Sequence, residues 1–131
     1  MMTQKKWHVL YCDASMRMCP ITDFIESCPE KHQAKIIRFL ALLEEMGPTL
    51  PRPYTDLLHD KIHELRIKLS GSQARILYFF CFRQYIVLYQ AFWKNTDRVP
   101  EKLISQTVKY RERLLANISQ NQLSALANGT F

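Results

Sequence analysis

The sequence predicts an α+β domain whose elements run strand, helix, helix, three strands, helix. Three observations predict it. Residues 61–94 hold three β-rich segments separated by two short breaks, the pattern of a meander of hairpins. Residues 29–46 carry apolar side chains at three- and four-residue steps, as an amphipathic helix does. A second helical period follows Pro100. The chain has 131 residues, room for one compact domain and too few for two ordinary ones. It is 47% hydrophobic and 11% aromatic, which supplies a core, and its 23% charged fraction is that of an ordinary globular protein.

The opening stretch, Lys5 to Asp13, is rich in Trp, Val, Leu and Tyr and reads as a strand. Asp13-Ala14-Ser15 breaks it. Pro20 suits the first turn of a short helix, where its missing N–H costs nothing, and Ile21, Phe24, Ile25 and Cys28 follow at helical spacing. Pro29 separates that helix from the next. Ile36, Phe39, Leu40, Leu43 and Met46 form the apolar stripe of the second helix, while Lys31, Lys35, Arg38, Glu44 and Glu45 fall on its solvated side. Gly47-Pro48 stops it. The two helices are expected to cover the apolar face of the sheet. Thr49 to Asp60, with Pro51 and Pro53, reads as a connecting loop with a turn near Tyr54 to His59.

In the first meander strand Leu65, Ile67 and Leu69 alternate with Glu64, Arg66 and Lys68. Alternation of period two sends the aliphatics to one face and the charges to the other. Ser70-Gly71-Ser72 turns the chain, and Arg75 opens the second strand. Ile76 to Phe82 is apolar on both faces, as a central strand requires. A tight turn at Arg83-Gln84 leads to the third strand, from Tyr85 to Lys94. Thr96 or Asp97 can cap the last helix, with Pro100 in its first turn and a stripe of Leu103, Thr107, Tyr110 and Leu114 running to about Asn117. The domain is expected to span 1–118. Residues 119–131, anchored by Leu123 and Leu126, read as a tail that is either a short helix or disordered.

The net charge is +6, and it is unevenly placed. Residues 1–60 hold seven Lys/Arg against eight Asp/Glu, and residues 61–131 hold eleven against four. A basic half of this kind attracts nucleic acid, acidic lipid or an acidic protein. Cys12, Cys19, Cys28 and Cys81 form no CxxC pair and stand at no zinc-finger spacing from a histidine. They read as small, mostly buried thiols in a reducing compartment. No metal and no cofactor is expected. The apolar run from Trp7 to Tyr11 is too short for a signal-peptide core. Arg83-Gln84 interrupts the longest apolar region, so no membrane helix is expected. The chain reads as cytoplasmic.

Arg66, Lys68 and Arg75 are expected on one exposed sheet face, with no competing cluster of acids. Convergent cations of this kind fit a polyanion; the plain alternative is a solvated sheet face. Lys61 and Lys94 flank the meander as candidate phosphate ligands. Tyr89 and Trp93 are candidates for stacking on bases, although such aromatics also serve as core. His59, in the preceding loop, and His63 are candidate acids or bases. His63 shares parity with Leu65, so a regular strand points it at the core.

The ordered set Glu64-Leu65-Arg66 with Lys68, the turn at Gly71, Arg75-Ile76-Leu77-Tyr78-Phe79, Ala91-Phe92-Trp93-Lys94, Thr96, Pro100 and a helix with Arg111 or Arg113 resembles the RelE/ParE superfamily of bacterial toxins. It is most similar to the HigB-like, phage-derived branch, over roughly residues 5–115. The resemblance implies a small antiparallel β-sheet with helices packed on one face. It implies a toxin of a type II toxin–antitoxin system, neutralised by a cognate antitoxin with a helix-turn-helix part. In RelE-like members the activity is ribosome-dependent endoribonuclease cleavage of mRNA in the A site, without metal, which inhibits translation. The basic residues of that site are matched by Arg66, Lys68 and Arg75, and Lys94 holds about the place of a further arginine. The C-terminal tyrosine of RelE-type toxins has no match near Pro100, which leaves the acid and base unassigned. Two other readings share the fold: a ParE-like inhibitor of DNA gyrase, and a catalytically inactive interaction module.

Overall fold

The computed structural model describes residues 7–12, 20–95, 98–117 and 119. The elements are β1 (His8–Tyr11), α1 (Pro20–Ser27), α2 (Glu30–Met46), a 3₁₀ turn (Gly47–Thr49), β2 (Thr55–Leu57), β3 (His63–Leu69), β4 (Ser72–Cys81), β5 (Tyr85–Trp93) and α3 (Glu101–Asn117). The fold is α+β, as expected. The three meander strands and three helices fall where the periodicity puts them. The expected caps Thr96 and Asp97, the opening Lys5 and Lys6, and the tail beyond Ser119 lie outside the described residues.

The five strands form one sheet in the order β1-β5-β4-β3-β2. Two features depart from the sequence reading. The stretch read wholly as loop contains β2, which pairs antiparallel with β3. Three residues are too few to show a period. The strand forms because the free edge of β3 offers partners, and the Arg66 N–H donates to the Tyr54 carbonyl just beyond it at 2.8 Å. The second departure is β1, which pairs parallel with β5, so the sheet is mostly, not wholly, antiparallel. Parallel neighbours need a long connection, and here most of the chain lies between them.

Turn geometry sets the meander register. Ser70 (φ 51°) and Gly71 (φ 88°) are both left-handed, and Leu69 pairs with Ser72. Two such residues match the twist of the strands they join. Phe82 and Arg83 do the same before β5. A bulge lies where Leu88 pairs with Tyr78 but Gln90 pairs with Leu77. It leaves Tyr89 as the extra residue and turns it to the opposite side of the sheet from Leu88.

That register divides the two faces. His63, Leu65 and Ile67 stand opposite Tyr78, Ile76 and Ala74. This face receives α1 and α2. Phe24 of α1 lies 5.2 Å from Trp93, itself opposite Ala74. Ile36, Leu40 and Leu43 of α2 are buried. The other face carries Leu77, Phe79 and Val87 and receives α3, whose Tyr110 lies 6.3 Å from Phe79 and stacks on Tyr89 at 4.7 Å. The helices therefore pack on both faces, where one was expected. Because β4 is buried on both sides, the second side also requires a cover.

Cys12 is disulfide-bonded, which corrects the expectation of unbridged thiols; Cys28 and Cys81 are free and buried. Bridging depends on separation in the fold, which spacing alone does not show. Among the described residues no helix is long and apolar enough to cross a membrane.

Gly47 ends α2 at φ 54° and ψ −130°, a conformation nearly reserved for glycine. A Cβ there would stand 2.2 Å from Trp7 Nε1. Trp7 in turn packs edge-on against Phe80 at 5.1 Å. Gly47→Ala is expected to destabilise the fold by about 2–4 kcal/mol, from backbone strain and displacement of the indole together. Urea denaturation followed by tryptophan fluorescence checks it. An unchanged midpoint would show that neither constraint holds.

Candidate nucleic-acid interface

In the β3–β4 ladder Arg66 stands directly opposite Arg75. Like charges so placed repel, and two carboxylates offset this. Glu64, on the same face two residues before Arg66, accepts a hydrogen bond from Arg66 Nε at 2.9 Å. Its other oxygen lies 3.6 Å from Arg75 Nε, an ion pair without a hydrogen bond. Asp56, opposite Glu64 on β2, takes Arg66 Nη2 at 3.0 Å and Arg52 Nη2 at 2.6 Å. The expectation of cations without competing acids is corrected here. Asp56 leaves no trace in the local pattern, because it comes beside Glu64 only when β2 pairs with β3.

Burial ranks these groups. Glu64 and Arg75 are 2% and 4% exposed, whereas the Arg66 side chain keeps 30%. Arg75 Nη2 donates to Gln73 Oε1 at 2.6 Å, and Nη1 to the Ala74 carbonyl at 3.2 Å. Burial pulls the Arg75 guanidinium below its ordinary range, Glu64 pulls it back, and Arg66 adds to the lowering. It stays charged, as guanidinium does in proteins. Lys68 is exposed, and among the described residues its ammonium has no ion pair. Its carbonyl accepts a hydrogen bond from Lys35 Nζ of α2.

A cavity of about 390 Å³ opens at this edge of the sheet, where β2 has ended and β3 is uncovered. Its walls include Lys35, Arg66, Lys68 and Arg75, with Phe39 and Tyr54 beside them. Among the described residues no carboxylate lines it; Glu64 and Asp56 stand behind the arginines. Four cations thus face one concave surface, and two acids hold the arginines from the rear. Such a site can grip a phosphodiester, since guanidinium offers paired donors to two oxygens.

The remaining sequence candidates lie elsewhere. His63 faces the α2 side, stacked on Tyr78 at 5.2 Å and edge-on to Phe80 at 5.0 Å. His59 is bonded to Asp60 at 2.7 Å and to Glu101, the first residue of α3, at 2.5 Å. Lys61 is exposed in that same loop, at φ 60°. Tyr89 is covered by Tyr110 and lines a separate groove of about 670 Å³ with Lys109 and Arg113. Trp93 packs on Phe24. Lys94 follows β5, its N–H donating to the Gln73 carbonyl at 2.8 Å, and does not line the cavity. Among the described residues no group of three or more His, Cys, Asp or Glu is placed to hold a metal ion.

The family model of the phage-derived protein Gp49-like family (DUF891) matches residues 23–112. The chain belongs to the Gp49-like family. The matched span runs from α1 into α3 and contains every residue lining the cavity. No curated protein matches this Gp49-like chain.

Three walls of the Gp49-like site were not singled out in the sequence. Lys35 and Phe39 sit one helical turn apart on α2, with the ammonium 5.8 Å over the ring. The i, i+4 spacing was legible, but nothing local says that this pair reaches the sheet edge. Tyr54 follows Pro53 in the segment that reads as a loop, where no period points it at the sheet.

The two histidines are expected to titrate on opposite sides of 6.5. Hydrogen bonds to Asp60 and then Glu101 raise His59, and burial lowers His63. The raised His59 adds stability that is fully present below pH 6.5 and lost as pH rises through its folded pKa. The depressed His63 adds stability that is present above pH 6.5 and lost as pH falls below it. Two-dimensional NMR of the imidazole resonances checks both directions, and coincident titrations near 6.5 would refute both environments.

Proposed function

We propose that this Gp49-like protein is the toxin of a type II toxin–antitoxin system, similar to the HigB-like branch of the RelE/ParE superfamily. In this reading it is a cytoplasmic endoribonuclease that cleaves mRNA in the ribosomal A site and inhibits translation. The observation that carries the reading is the cavity with four cationic residues and, among the described residues, no acid in its walls. Such a surface favours a bent, charge-rich phosphodiester over a neutral ligand.

Cleavage requires the 2′-hydroxyl to attack the adjacent phosphorus while the bond to the 5′-oxygen breaks, leaving a cyclic phosphate and a free 5′-hydroxyl. The pentacoordinate intermediate carries more negative charge than the substrate. Arg66 and Arg75, opposite each other and held from behind by Glu64, provide fixed donors for it. Fixed donors need no reorganisation as the charge develops. Lys68 is the titratable cation with open access, suited to contact the phosphate and to exchange a proton with the attacking or leaving oxygen. Following the resemblance, no metal or cofactor takes part. His59 is engaged at the start of α3 and His63 faces away, so neither enters this mechanism.

The partner in this reading is a helix-turn-helix antitoxin that covers the cavity or blocks docking on the ribosome. One observation favours a second reading, an interaction module that cleaves nothing: Arg66 and Arg75 already have carboxylate partners. Primer extension on a defined message, with translating ribosomes, purified protein and a ribosome-free control, separates these readings. Cuts within A-site codons are expected. Cuts in both lanes would keep the nuclease and remove ribosome dependence. No cuts, with growth still arrested by the protein, would favour binding to gyrase or another target.

A further inference from the structure

We propose that Tyr54 is the base-stacking residue of this site, holding one unpaired nucleobase against its ring while the adjoining phosphate meets Arg66. The inference rests on the RNA reading above and assigns the substrate's base to a surface.

Tyr54 is 40% exposed and shares the cavity with all four cations. Its backbone is fixed at both ends of the peptide: the N–H donates to the Pro51 carbonyl at 3.0 Å, and the carbonyl accepts the Arg66 N–H at 2.8 Å. The ring is therefore anchored to the same residue that carries the phosphate-facing guanidinium. Phe39 supports it from α2, with centroids 5.9 Å apart and planes at 62°. A single contact of this kind props the ring and covers at most one of its two faces. Of the side chains first expected to stack, Tyr89 is stacked on Tyr110, and Trp93, as exposed as Tyr54, packs on Phe24; neither lines the cavity.

The chemistry selects the ligand class. A cavity of about 390 Å³ is the size that takes a small organic group. Cations along one wall call for an anion, and an exposed aromatic beside them calls for a flat π-system. A nucleotide of a single strand carries both, with the base joined to its phosphate through one sugar. Aromatic platforms next to a basic track are how single strands are held without sequence readout.

The test uses a fluorescein-labelled 2′-O-methyl oligoribonucleotide, which cannot be cleaved at the methylated positions. Binding is read by anisotropy, with the strand alone and threaded into ribosomes. A second set of strands carries one abasic position, moved along the sequence. The wild type is expected to lose about tenfold in affinity when one particular base is removed. Tyr54→Leu is expected to lose about tenfold on the intact strand and to be indifferent to the abasic position. Tyr54→Phe is expected to behave as the wild type. Equal binding by wild type and Tyr54→Leu overturns the inference and leaves the RNA reading standing. Weaker binding by Tyr54→Leu that keeps the full abasic penalty makes Tyr54 a structural prop, which also overturns it. No binding by the wild type, alone or on ribosomes, overturns both.

Discussion

Arg66→Ala is expected to slow message cleavage by about 10²–10³-fold, the usual loss when one donor to a developing oxyanion is removed. The side chain stands opposite Arg75, lines the cavity and keeps 30% exposure. The same change removes the hydrogen bond that Glu64 Oε1 accepts. A hydrogen bond to a charged group is worth about 2 kcal/mol, so a moderate loss of stability accompanies the loss of rate. Asp56 keeps Arg52, and Glu64 keeps its ion pair with Arg75, which limits the structural damage. Arg66→Lys retains the charge and loses the planar fork, and an intermediate rate is expected. Primer extension with all three proteins, beside thermal denaturation, separates the two effects. Wild-type cutting by a folded Arg66→Ala protein would remove Arg66 from the reaction.

Glu64→Gln is expected to be the most destabilising change at the site, at about 3 kcal/mol. The carboxylate is 2% exposed and faces two guanidiniums, one of them only 4% exposed. Removing the negative charge leaves Arg75 buried beside Arg66 with nothing to offset it, and uncompensated buried charge is costly. The amide keeps the volume, so packing does not confuse the result. Arg75→Met in the same protein is expected to recover much of the loss, because an apolar side chain of similar length needs no counter-charge. A double-mutant cycle by chemical denaturation measures the coupling directly. Additive losses from the two changes would show that Glu64 and Arg75 are energetically independent despite their 3.6 Å approach.

These two predictions concern side chains that are far easier to place in the fold than in the sequence. Alternation along 64–69 puts Arg66 and Lys68 opposite the aliphatics, and the Ser70-Gly71 turn brings Arg75 across from Arg66. That much depends on local rules: period two, a two-residue left-handed turn, and a short hairpin. The same rules place α2 and α3 to within a residue or two, because their apolar stripes repeat over several turns. His63 was legible too, since its parity with Leu65 puts it on the α2 side, where it stacks on Tyr78.

Local pattern did not determine how distant pieces meet. The parallel pairing of β1 with β5 joins segments separated by most of the chain. The three residues of β2 become a strand only because β3 offers an edge, and with β2 comes Asp56, the second acid behind Arg66. The bulge at Tyr89 turns that ring to α3, and Trp93 packs on Phe24 at the end of β5, so neither expected platform lines the cavity. Lys35, Phe39 and Tyr54 reach the cavity from a helix and a loop that share no period with β3. The three helices, the meander and its row of cations were legible in the residues alone, because those follow from neighbours a few residues apart. Which cations are backed by acids, which ring lines the cavity beside them and which face each helix covers depend on packing and charge between segments far apart in the chain, and no local pattern carries them.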